Sequence, residues 1–397
     1  MLKVVNAIAY RGVPIRVEDQ RQWELTRGMP WDVESETVID FVKKANSKIN
    51  SGMKEYTTFQ ALDATTSPRE FPKLLSSYLN ATGESTAFTT FHNNYAQHKL
   101  KDNLKNSNLT EGAVIVFVHF QVWSDPVYIL DDEGQVQLDA AGEPTLSEGG
   151  QPKLQEDKFT LLMVRNTGAL QFNDDLQIDS TEVIDLKQFV QGCIVDNQRF
   201  IAHEASTETT ESADNYISLI KGSADIREYF KEAIYAVKGV SNKLSSENLK
   251  KAFYDFRDTY EELDRDTVDQ MEAKLYELSQ THKNHSVTLS FIGATLDECV
   301  SAELESEHQL RGKFVEFANQ GDYEINDEFQ ITSNIISDFK FLSLDVEIGL
   351  LKLARNEIGS IDDGRRSIVF DPETNELSFK TTLTEQKYID AISSIIK

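Results

Sequence analysis

Two groups of lysines in the first quarter of the chain could contact a phosphate backbone. One group lies on or just after a predicted helix over 35–50, and the other lies at the end of a later predicted helix. Lysine ammonium groups neutralise phosphates without reading base sequence, which gives salt-sensitive binding. Alternatively, they are ordinary solvated charges that compensate helix dipoles. The candidates are Lys43, Lys44, Lys48, Lys54, Lys99, Lys101 and Lys105.

Three further cations are candidates for phosphate contact. Arg365 and Arg366 precede a predicted hairpin, and a β-ribbon with basic flanks can enter a DNA groove. Local ion pairs within a turn are the simpler explanation of this arginine pair. Lys221 could bind phosphate, or it could compensate the partial negative charge at a helix C-terminus.

Catalytic and metal-binding patterns in the chain are weak. There is no GxxxxGK[ST] phosphate loop and no GxSxG nucleophile motif. His282 and His285 lack a partner at metal-ligand spacing, and His119 is expected to be a hydrogen-bonded sheet histidine. Acid-x-Lys triplets at 156–158 and 385–387 would need another acid converging from a neighbouring strand to form a metal nuclease site, and such triplets arise by chance in a chain of which 27% is charged. We therefore expect no enzyme activity, no metal and no cofactor.

Charge is distributed unevenly along the chain. The formal net charge is −26, so the average electrostatic field repels nucleic acid. Residues 1–110 are the exception, because they contain 14 Lys and Arg against 12 Asp and Glu. Contact with DNA is thus expected from this first quarter, from a local patch elsewhere, or through a partner.

Composition indicates a soluble, cytoplasmic protein with an ample core. Hydrophobic residues make up 40% of the 397 residues, and no apolar run approaches the ~18 residues that a membrane span needs. The first residues become charged too early for a secretory signal. The two cysteines, Cys193 and Cys299, fit a reducing compartment better than a disulfide framework.

Hydrophobic periodicity predicts an α+β fold with N-terminal helices and a mostly antiparallel sheet. Residues 35–50 have apolar positions at helical spacing, and further helices are predicted over 70–79 and 87–104. Strands are predicted where β-branched and aromatic residues dominate. These strands are 4–10 (on a sheet edge), 112–122, 127–130, 159–166 and a stretch from 183 to about 201.

The chain after residue 214 is predicted to be mainly helical. Helices are expected within 215–239 and over 246–263 and 266–283, and the last two could pack within one chain or across a homodimer axis. Alternating apolar residues favour a short strand at 286–296 over a buried helix start. Residues 367–383 are expected to form a β-hairpin around a Pro-containing turn, followed by a final helix.

Two domains are expected. Residues 1–201 form the α+β domain, the polar segment 202–214 is a linker, and residues 215–397 form the mainly helical domain. Residues 131–157 are rich in Gly, Pro and acidic residues, which indicates an exposed excursion with a hairpin near 136–138.

Several segments occur in an order typical of one family. The chain resembles the NdpA/YejK-type bacterial nucleoid-associated proteins from about residue 30 to its C-terminus. The acidic excursion at 131–157 is an insertion relative to compact family members, and the first thirty residues match poorly. The segments that carry the resemblance are ETVIDFVKKANSKI (36–49), FHNNYAQHKLKDNL (91–104), EGAVIVFVHFQV (111–122), FTLLMVRNTGALQFNDDLQI (159–178), YISLIKGSADIREYF (216–230), FVEFANQGDYEINDEFQI (314–331) and SIVFDPETNELSFK (367–380).

The resemblance implies a non-catalytic role at the bacterial nucleoid, in the cytoplasm. The partners it implies are double-stranded DNA, bound directly or indirectly, and nucleoid or DNA-processing proteins. A second hypothesis is an acidic protein-interaction adaptor, or an accessory factor of a mobile element or phage-defence system, that does not bind DNA itself. The net charge of −26 favours this alternative, because an acidic surface repels phosphate.

Overall fold

In a computed structural model the chain divides into two units. Unit 1 comprises Met1–Ser241 and Ala318–Asp327, and unit 2 comprises Asn242–Phe317 and Glu328–Lys397. The unit boundary at Ser241 thus lies beyond the predicted linker. The residues that the structure describes are 1–50, 52–81, 83–107, 109, 112–130, 135–138, 144–165, 175–177, 189–205, 215–220, 228–237, 241–321, 323–347, 349–361 and 363–396.

Unit 1 is built on a seven-stranded antiparallel sheet, which confirms the predicted sheet type. Its strands are β1 Leu2–Val17, β2 Gln20–Arg27, β3 Lys54–Thr57, β4 Ala113–Trp123, β5 Leu154–Arg165, β6 Phe189–Asp196 and β7 Ile217–Ile220. Their order across the sheet is β2-β1-β4-β5-β6-β7-β3. The edge position predicted for residues 4–10 is therefore wrong, because β2 pairs with the outer side of β1.

Helices cover both faces of this sheet. Helix α1 (Glu36–Asn50) lies on one face, where Phe41 packs in a cluster with Val116. The other face carries the remaining helices of unit 1, in a cluster that includes Phe117, because successive strand residues point to opposite faces. These helices are α2 Phe71–Asn80, α3 Ser85–Asn94, a π-helical segment Tyr95–Leu100, α4 Lys101–Leu104, α5 Asn197–Ala205 and α6 Glu228–Ile234.

Unit 2 is mainly helical, as predicted. Its helices are α7 Asn242–Thr259, α8 Arg265–Thr281, α9 Leu289–Asp297, α10 Ala302–His308, α11 Lys313–Gln320 (which continues into unit 1), α12 Ser333–Lys340 and α13 Gln386–Ile396. Helices α7 and α8 both pack against α12, with the rings of Phe253 and Phe339 5.2 Å apart. The predicted helical pair therefore buries its apolar faces within one chain.

Short strands complete unit 2. They are β8 Ser286–Thr288, β9 Glu328–Gln330, β10 Phe341–Val346, β11 Gly349–Ala354, β12 Ile358–Ser360, β13 Ile368–Asp371 and β14 Glu376–Phe379. The predicted terminal hairpin is confirmed as β13 and β14, and Asn375 in its turn adopts φ of 58°. Residues 286–296 are only briefly a strand, because the Thr288 hydroxyl accepts a hydrogen bond from Phe291 N and caps α9.

Three element predictions in unit 1 are wrong. Residues 217–220 form strand β7 instead of a helix, since they pair with β3 and β6. Residues 127–130 do not extend the sheet, because Tyr128 and Leu130 pair with Leu146 and Val136 of the acidic excursion. The strand predicted to reach residue 201 ends at Asp196, and α5 begins at the next residue. Residues 206–214 of the predicted linker lie outside the described residues.

Candidate nucleic-acid interface

Helix α1 presents two of the predicted lysines to solvent. Its apolar side, with Phe41 and Val42, is buried against the sheet, so Lys43 and Lys44 are exposed on the opposite side. The side chain of Lys48 lies outside the described residues. This surface therefore offers two adjacent cations and no denser cluster in its described part.

Lys54 lies at the start of β3 and is buried, with 3% of its surface exposed. Its ammonium donates hydrogen bonds to the backbone oxygens of Asn50 (3.2 Å) and Asn319 (3.3 Å). A phosphate cannot reach this group without opening the fold. Lys54 therefore has a structural position, and we remove it from the proposed DNA contacts.

The second lysine group lies on the other face of the sheet, around α4. Lys99 forms an ion pair of 2.8 Å with Glu70, and Lys105 forms one of 2.7 Å with Asp102. Lys101 is half-buried and forms no ion pair with any residue that the structure describes. The two lysine groups therefore do not converge on one surface.

Arg365 and Arg366 are engaged within unit 2. Arg366 is 14% exposed and forms ion pairs with Asp266, Asp269 and Asp363, and Arg365 lies 3.5 Å from Asp266. These contacts agree with the simpler explanation, in which both arginines form local ion pairs. Lys221 lies outside the described residues.

Strands β1 and β2 form a ribbon that extends past the rest of the sheet. Strand β1 pairs with β4 only from Leu2 to Gly12, whereas it pairs with β2 from Tyr10 to Val17. The chain reverses at Glu18 and Asp19, both of which have positive φ, as in the two-residue turns preferred by hairpins. The tip of this ribbon, residues 15–22, therefore pairs with no further strand, whereas Trp23 at its base is buried.

One face of the ribbon carries three arginines. Arg16 and Arg21 are directly opposed across the ribbon, and Arg27 is opposed to Tyr10 on the same face. None of the three forms an ion pair with a residue that the structure describes. Glu24 pairs with Val13 and points to the opposite face, because side chains alternate along a strand. We call Arg16, Arg21 and Arg27 the arginine face.

Sequence reasoning missed the arginine face because the strand was ended at Tyr10. Pro14 follows shortly afterwards, and proline argues against a strand. In the ribbon, Pro14 lies opposite Trp23 beyond the end of the pairing with β4, so its missing N–H leaves no bond to β4 unmade. The Glu18-Asp19 turn between two alternating runs was the signal that could have revealed the hairpin.

Buried side chains and contact with α4 hold the base of the ribbon in place. Trp23 and Leu25 are buried in the cluster beneath the helices, and Gln97 donates a hydrogen bond of 3.1 Å to Leu25 O. Helix α4, which carries Lys101, packs against β2. The arginine face is consequently held by a rigid base on its own side of the sheet.

Comparisons with known proteins identify the family. A family model described as nucleoid-associated protein YejK matches residues 24–385. The chain belongs to this family. A nucleoid-associated protein of Pseudomonas aeruginosa is 20% identical over 354 residues, which cover 89% of this chain and 87% of the relative. Another, from Pseudomonas paraeruginosa, is 20% identical over 309 residues, covering 77% of this chain and 75% of the relative.

The family match defines which parts of the candidate interface are shared. It begins at residue 24, so Arg27 lies within the match and the rest of the arginine face precedes it. Helix α1 and helix α4 lie inside the match. Membership associates the protein with the bacterial nucleoid. Residues 1–23, which include Arg16 and Arg21, lie outside the family match.

A buried polar network in unit 1 has the residue types of a catalytic triad. The Tyr78 hydroxyl lies 2.6 Å from His119 Nδ1, and His119 Nε2 lies 2.9 Å from Asp157 Oδ1. Asn6 donates to the Tyr78 hydroxyl at 2.9 Å. Both ring nitrogens of His119 are thus occupied, which confirms the predicted hydrogen-bonded sheet histidine. The network joins α2 to the sheet and offers no free base.

Asp157 is also fully engaged. Burial alone would raise the pKa of its carboxyl, but hydrogen bonds from His119, Asn197 and Gln121 hold the pKa below its usual range. In the acid-x-Lys triplet that contains Asp157, Lys158 forms an ion pair of 3.1 Å with Glu156. No group of three His, Cys, Asp or Glu suited to a metal occurs in the described part of the chain. No described helix is long and apolar enough to cross a bilayer.

Proposed function

We propose that the protein is a non-catalytic nucleoid-associated protein of the cytoplasm that binds double-stranded DNA directly through its arginine face. The observation that carries the proposal is the ribbon geometry: Arg16, Arg21 and Arg27 share one face and have no acidic partner in the described structure. A two-stranded ribbon fits the major groove of B-DNA, and arginines beside it can bind phosphates or base edges.

Electrostatics support this assignment. Arg16 and Arg21 face each other directly, and like charges at opposed positions destabilise a ribbon. An anion bound between them removes that repulsion. Lys101 on the adjacent α4 adds a fourth cation at the base of the ribbon. Because the whole chain has a net charge of −26, such a local cluster is what direct binding requires.

The lysines of α1 form a separate surface, which is the alternative to the arginine face as the main DNA contact. Lys43 and Lys44 are exposed, but they lie on the opposite face of the sheet from α4. Lys48 and Lys221 stay in the proposal as untested contacts. We assign Lys99, Lys105, Arg365 and Arg366 mainly to the ion pairs described above, which compete with phosphate for their charges.

Fluorescence anisotropy with a labelled 20-base-pair duplex tests the arginine face across a salt series. The test variant is Arg16→Gln/Arg21→Gln/Arg27→Gln, and the matched control is Lys43→Gln/Lys44→Gln/Arg69→Gln, which removes the same charge from exposed positions elsewhere. If all three arginines contact phosphate, the slope of log affinity against log salt should fall by about 2 to 3 in the test variant. The control variant should keep the wild-type slope.

The outcomes separate the competing assignments. Loss of binding in the control variant alone would move the interface to α1. Equal loss in both variants would show a response to bulk charge. No binding by the wild-type chain at low salt would exclude direct DNA contact.

The second candidate is an acidic adaptor or accessory factor, in a nucleoid, mobile-element or phage-defence setting. The net charge of −26 favours it, because proteins with basic surfaces would be attracted where DNA is repelled. Its partners would be nucleoid or DNA-processing proteins. Absence of duplex binding, together with retention at the nucleoid in cells, supports this candidate. Light scattering of the purified chain distinguishes a monomer from a homodimer, the two alternatives that the sequence leaves open.

A further inference from the structure

The turn at the end of the β1–β2 ribbon carries two carboxylates. Glu18 and Asp19 join β1 to β2, and both side chains are exposed. Neither acid forms an ion pair with a residue that the structure describes. We call Glu18 and Asp19 the turn acids. They lie next to Arg16 and Arg21 along the ribbon, so an anion that approaches these arginines also meets the charge of the turn acids.

The backbone conformation of the turn does not account for both acids. Glu18 has φ of 50° and Asp19 has φ of 60°. Two-residue hairpin turns with positive φ favour Asn, Asp or Gly. Short side chains such as that of Asp tolerate this conformation because they bond to the local backbone, and the longer Glu side chain does not share this advantage. The acid at position 18 therefore needs an explanation other than turn geometry.

The two faces of the ribbon differ in chemistry beside this turn. Arg16 and Arg21 lie on the arginine face, whereas Gln20 and Gln22 lie on the opposite face, because side chains alternate along β2. Glutamine amides can read adenine in the major groove, and arginines also bind phosphates. The face that attracts DNA therefore lacks these amides near the turn, which favours contact with the phosphate backbone.

The sign of the charge changes along the ribbon. Glu18 follows Arg16 by two residues, and Asp19 precedes Arg21 by two residues, which is about 7 Å of extended chain in each case. This separation is shorter than the Debye length of about 8 Å at physiological ionic strength. A duplex that approaches the turn end-on meets two carboxylates first, whereas a duplex beside the arginine face meets guanidinium groups first.

We propose that the turn acids direct DNA onto the arginine face, so that the ribbon contacts phosphates side-on and its turn does not enter a groove. The same carboxylates weaken the attraction of the arginines for phosphate and keep the affinity moderate. This inference rests on the proposed function, because it requires DNA at the arginine face.

Fluorescence anisotropy of the full chain with the labelled 20-base-pair duplex tests the turn acids. Glu18→Gln/Asp19→Asn removes both charges and keeps the shapes of the side chains, and Asn tolerates positive φ. The matched control is Glu303→Gln/Asp345→Asn, which neutralises two exposed acids of unit 2 that form no ion pair in the described part of the chain. The turn variant should bind about twofold to fivefold more tightly at low salt, since each carboxylate repels phosphates about 10 Å away, and this gain should shrink as salt rises. The control variant should bind as the wild-type chain does.

A cycle with the arginine-face triple variant shows where the gain arises. The turn substitutions should raise affinity in the wild-type background and should have no effect once the three arginines are replaced by glutamine. An equal gain in both backgrounds, or in the control variant, would show a response to bulk charge and overturn the inference.

Two duplexes, one G·C-rich and one A·T-rich, test the side-on approach. The turn variant should gain affinity equally for both. A turn that entered the major groove would place its carboxylates at cytosine amino groups, so weaker binding of the turn variant to the G·C-rich duplex would overturn the inference. Unchanged or weaker binding of the turn variant, with the arginine-face variant still impaired, would overturn this inference alone. Wild-type affinity in the arginine-face variant would overturn the proposed function as well.

Discussion

At the scale of single residues, burial holds ionisable side chains of unit 1 in one protonation state. His92 is 1% exposed, and its Nδ1 lies 2.7 Å from the Tyr10 hydroxyl. Burial lowers the pKa of His92 to about 3, and the nearby charge of Arg27 acts in the same direction. The folded chain therefore keeps this imidazole neutral at pH values where an exposed histidine is protonated.

This depressed pKa predicts acid-dependent stability. Between about pH 6.5 and pH 3, the unfolded chain binds a proton at His92 and the folded chain does not, so the stabilisation present above pH 6.5 is lost as pH falls. The free energy of unfolding should decrease by up to about 1.4 kcal/mol per pH unit from this group. Urea unfolding at pH 7, 6 and 5 measures the slope, which should be shallower in His92→Gln.

The exposed His285 provides the control for that experiment. His285→Gln should leave the slope at its wild-type value. A slope that is the same in His92→Gln and the wild-type chain would contradict the assignment of this stabilisation to His92.

At the scale of elements, the ribbon depends on close packing at its base. Gly12 lies where β1 leaves β4, and a side chain at this position would meet Leu25 and Trp23. A Cβ placed there would lie 3.0 Å from Leu25 Cδ2 and 3.2 Å from Trp23 Cε3. The packing of Trp23 and Leu25 at the base of the ribbon therefore requires glycine at position 12.

Gly12→Val should displace Trp23 and destabilise unit 1 by about 1–3 kcal/mol, the usual cost of overpacking a core. The displaced ribbon should also bind DNA more weakly than expected from stability alone. Denaturant unfolding and duplex titration measure the two effects. Gly364→Val is the control, because a Cβ at Gly364 meets no atom within 4 Å. If Gly12→Val binds the duplex with wild-type affinity, the base of the ribbon does not position the arginine face.

At the scale of the whole molecule, unit 1 is completed by a distant segment of the chain. Residues 318–327 belong to unit 1, although they follow most of the helices of unit 2. Asn326 Oδ1 accepts a hydrogen bond of 2.7 Å from Tyr56 N, and Asp327 N donates one of 2.9 Å to Lys54 O. Together with the contact from Lys54 to Asn319, these bonds satisfy buried groups of β3.

A chain ending at residue 241 should therefore be less stable than unit 1 in the full-length protein. It would lose the hydrogen bonds from Lys54 to Asn319 and from Tyr56 to Asn326, and each such bond contributes about 0.5–1.5 kcal/mol. Denaturant unfolding of 1–241 and of the full chain measures this difference. Asn326→Ala should lower the stability of the full chain by part of this difference, because it removes the acceptor of Tyr56 N. Unchanged stability in Asn326→Ala would argue against this role of the segment.

Elements with strong local periodicity were predictable. The helical spacing of Val38, Phe41, Val42 and Ala45 predicted α1 and its buried side, and the dense β-branched run at 112–122 predicted β4. The terminal hairpin was predictable from its turn residues. Strand β7 was mistaken for a helix, because a four-residue apolar run fits both periods and only its pairing with β3 and β6 decides between them.

The amino-acid order by itself determined the α+β class, the buried side of α1, the acidic average field and the family, because each is encoded in local pattern or in the succession of segments. Only the tertiary structure decided that Lys54 is buried, that the two lysine groups are separated by the sheet, and that Arg16 and Arg21 face each other. These outcomes depend on strand register and on contacts between distant segments, and short-range spacing carries no information about either.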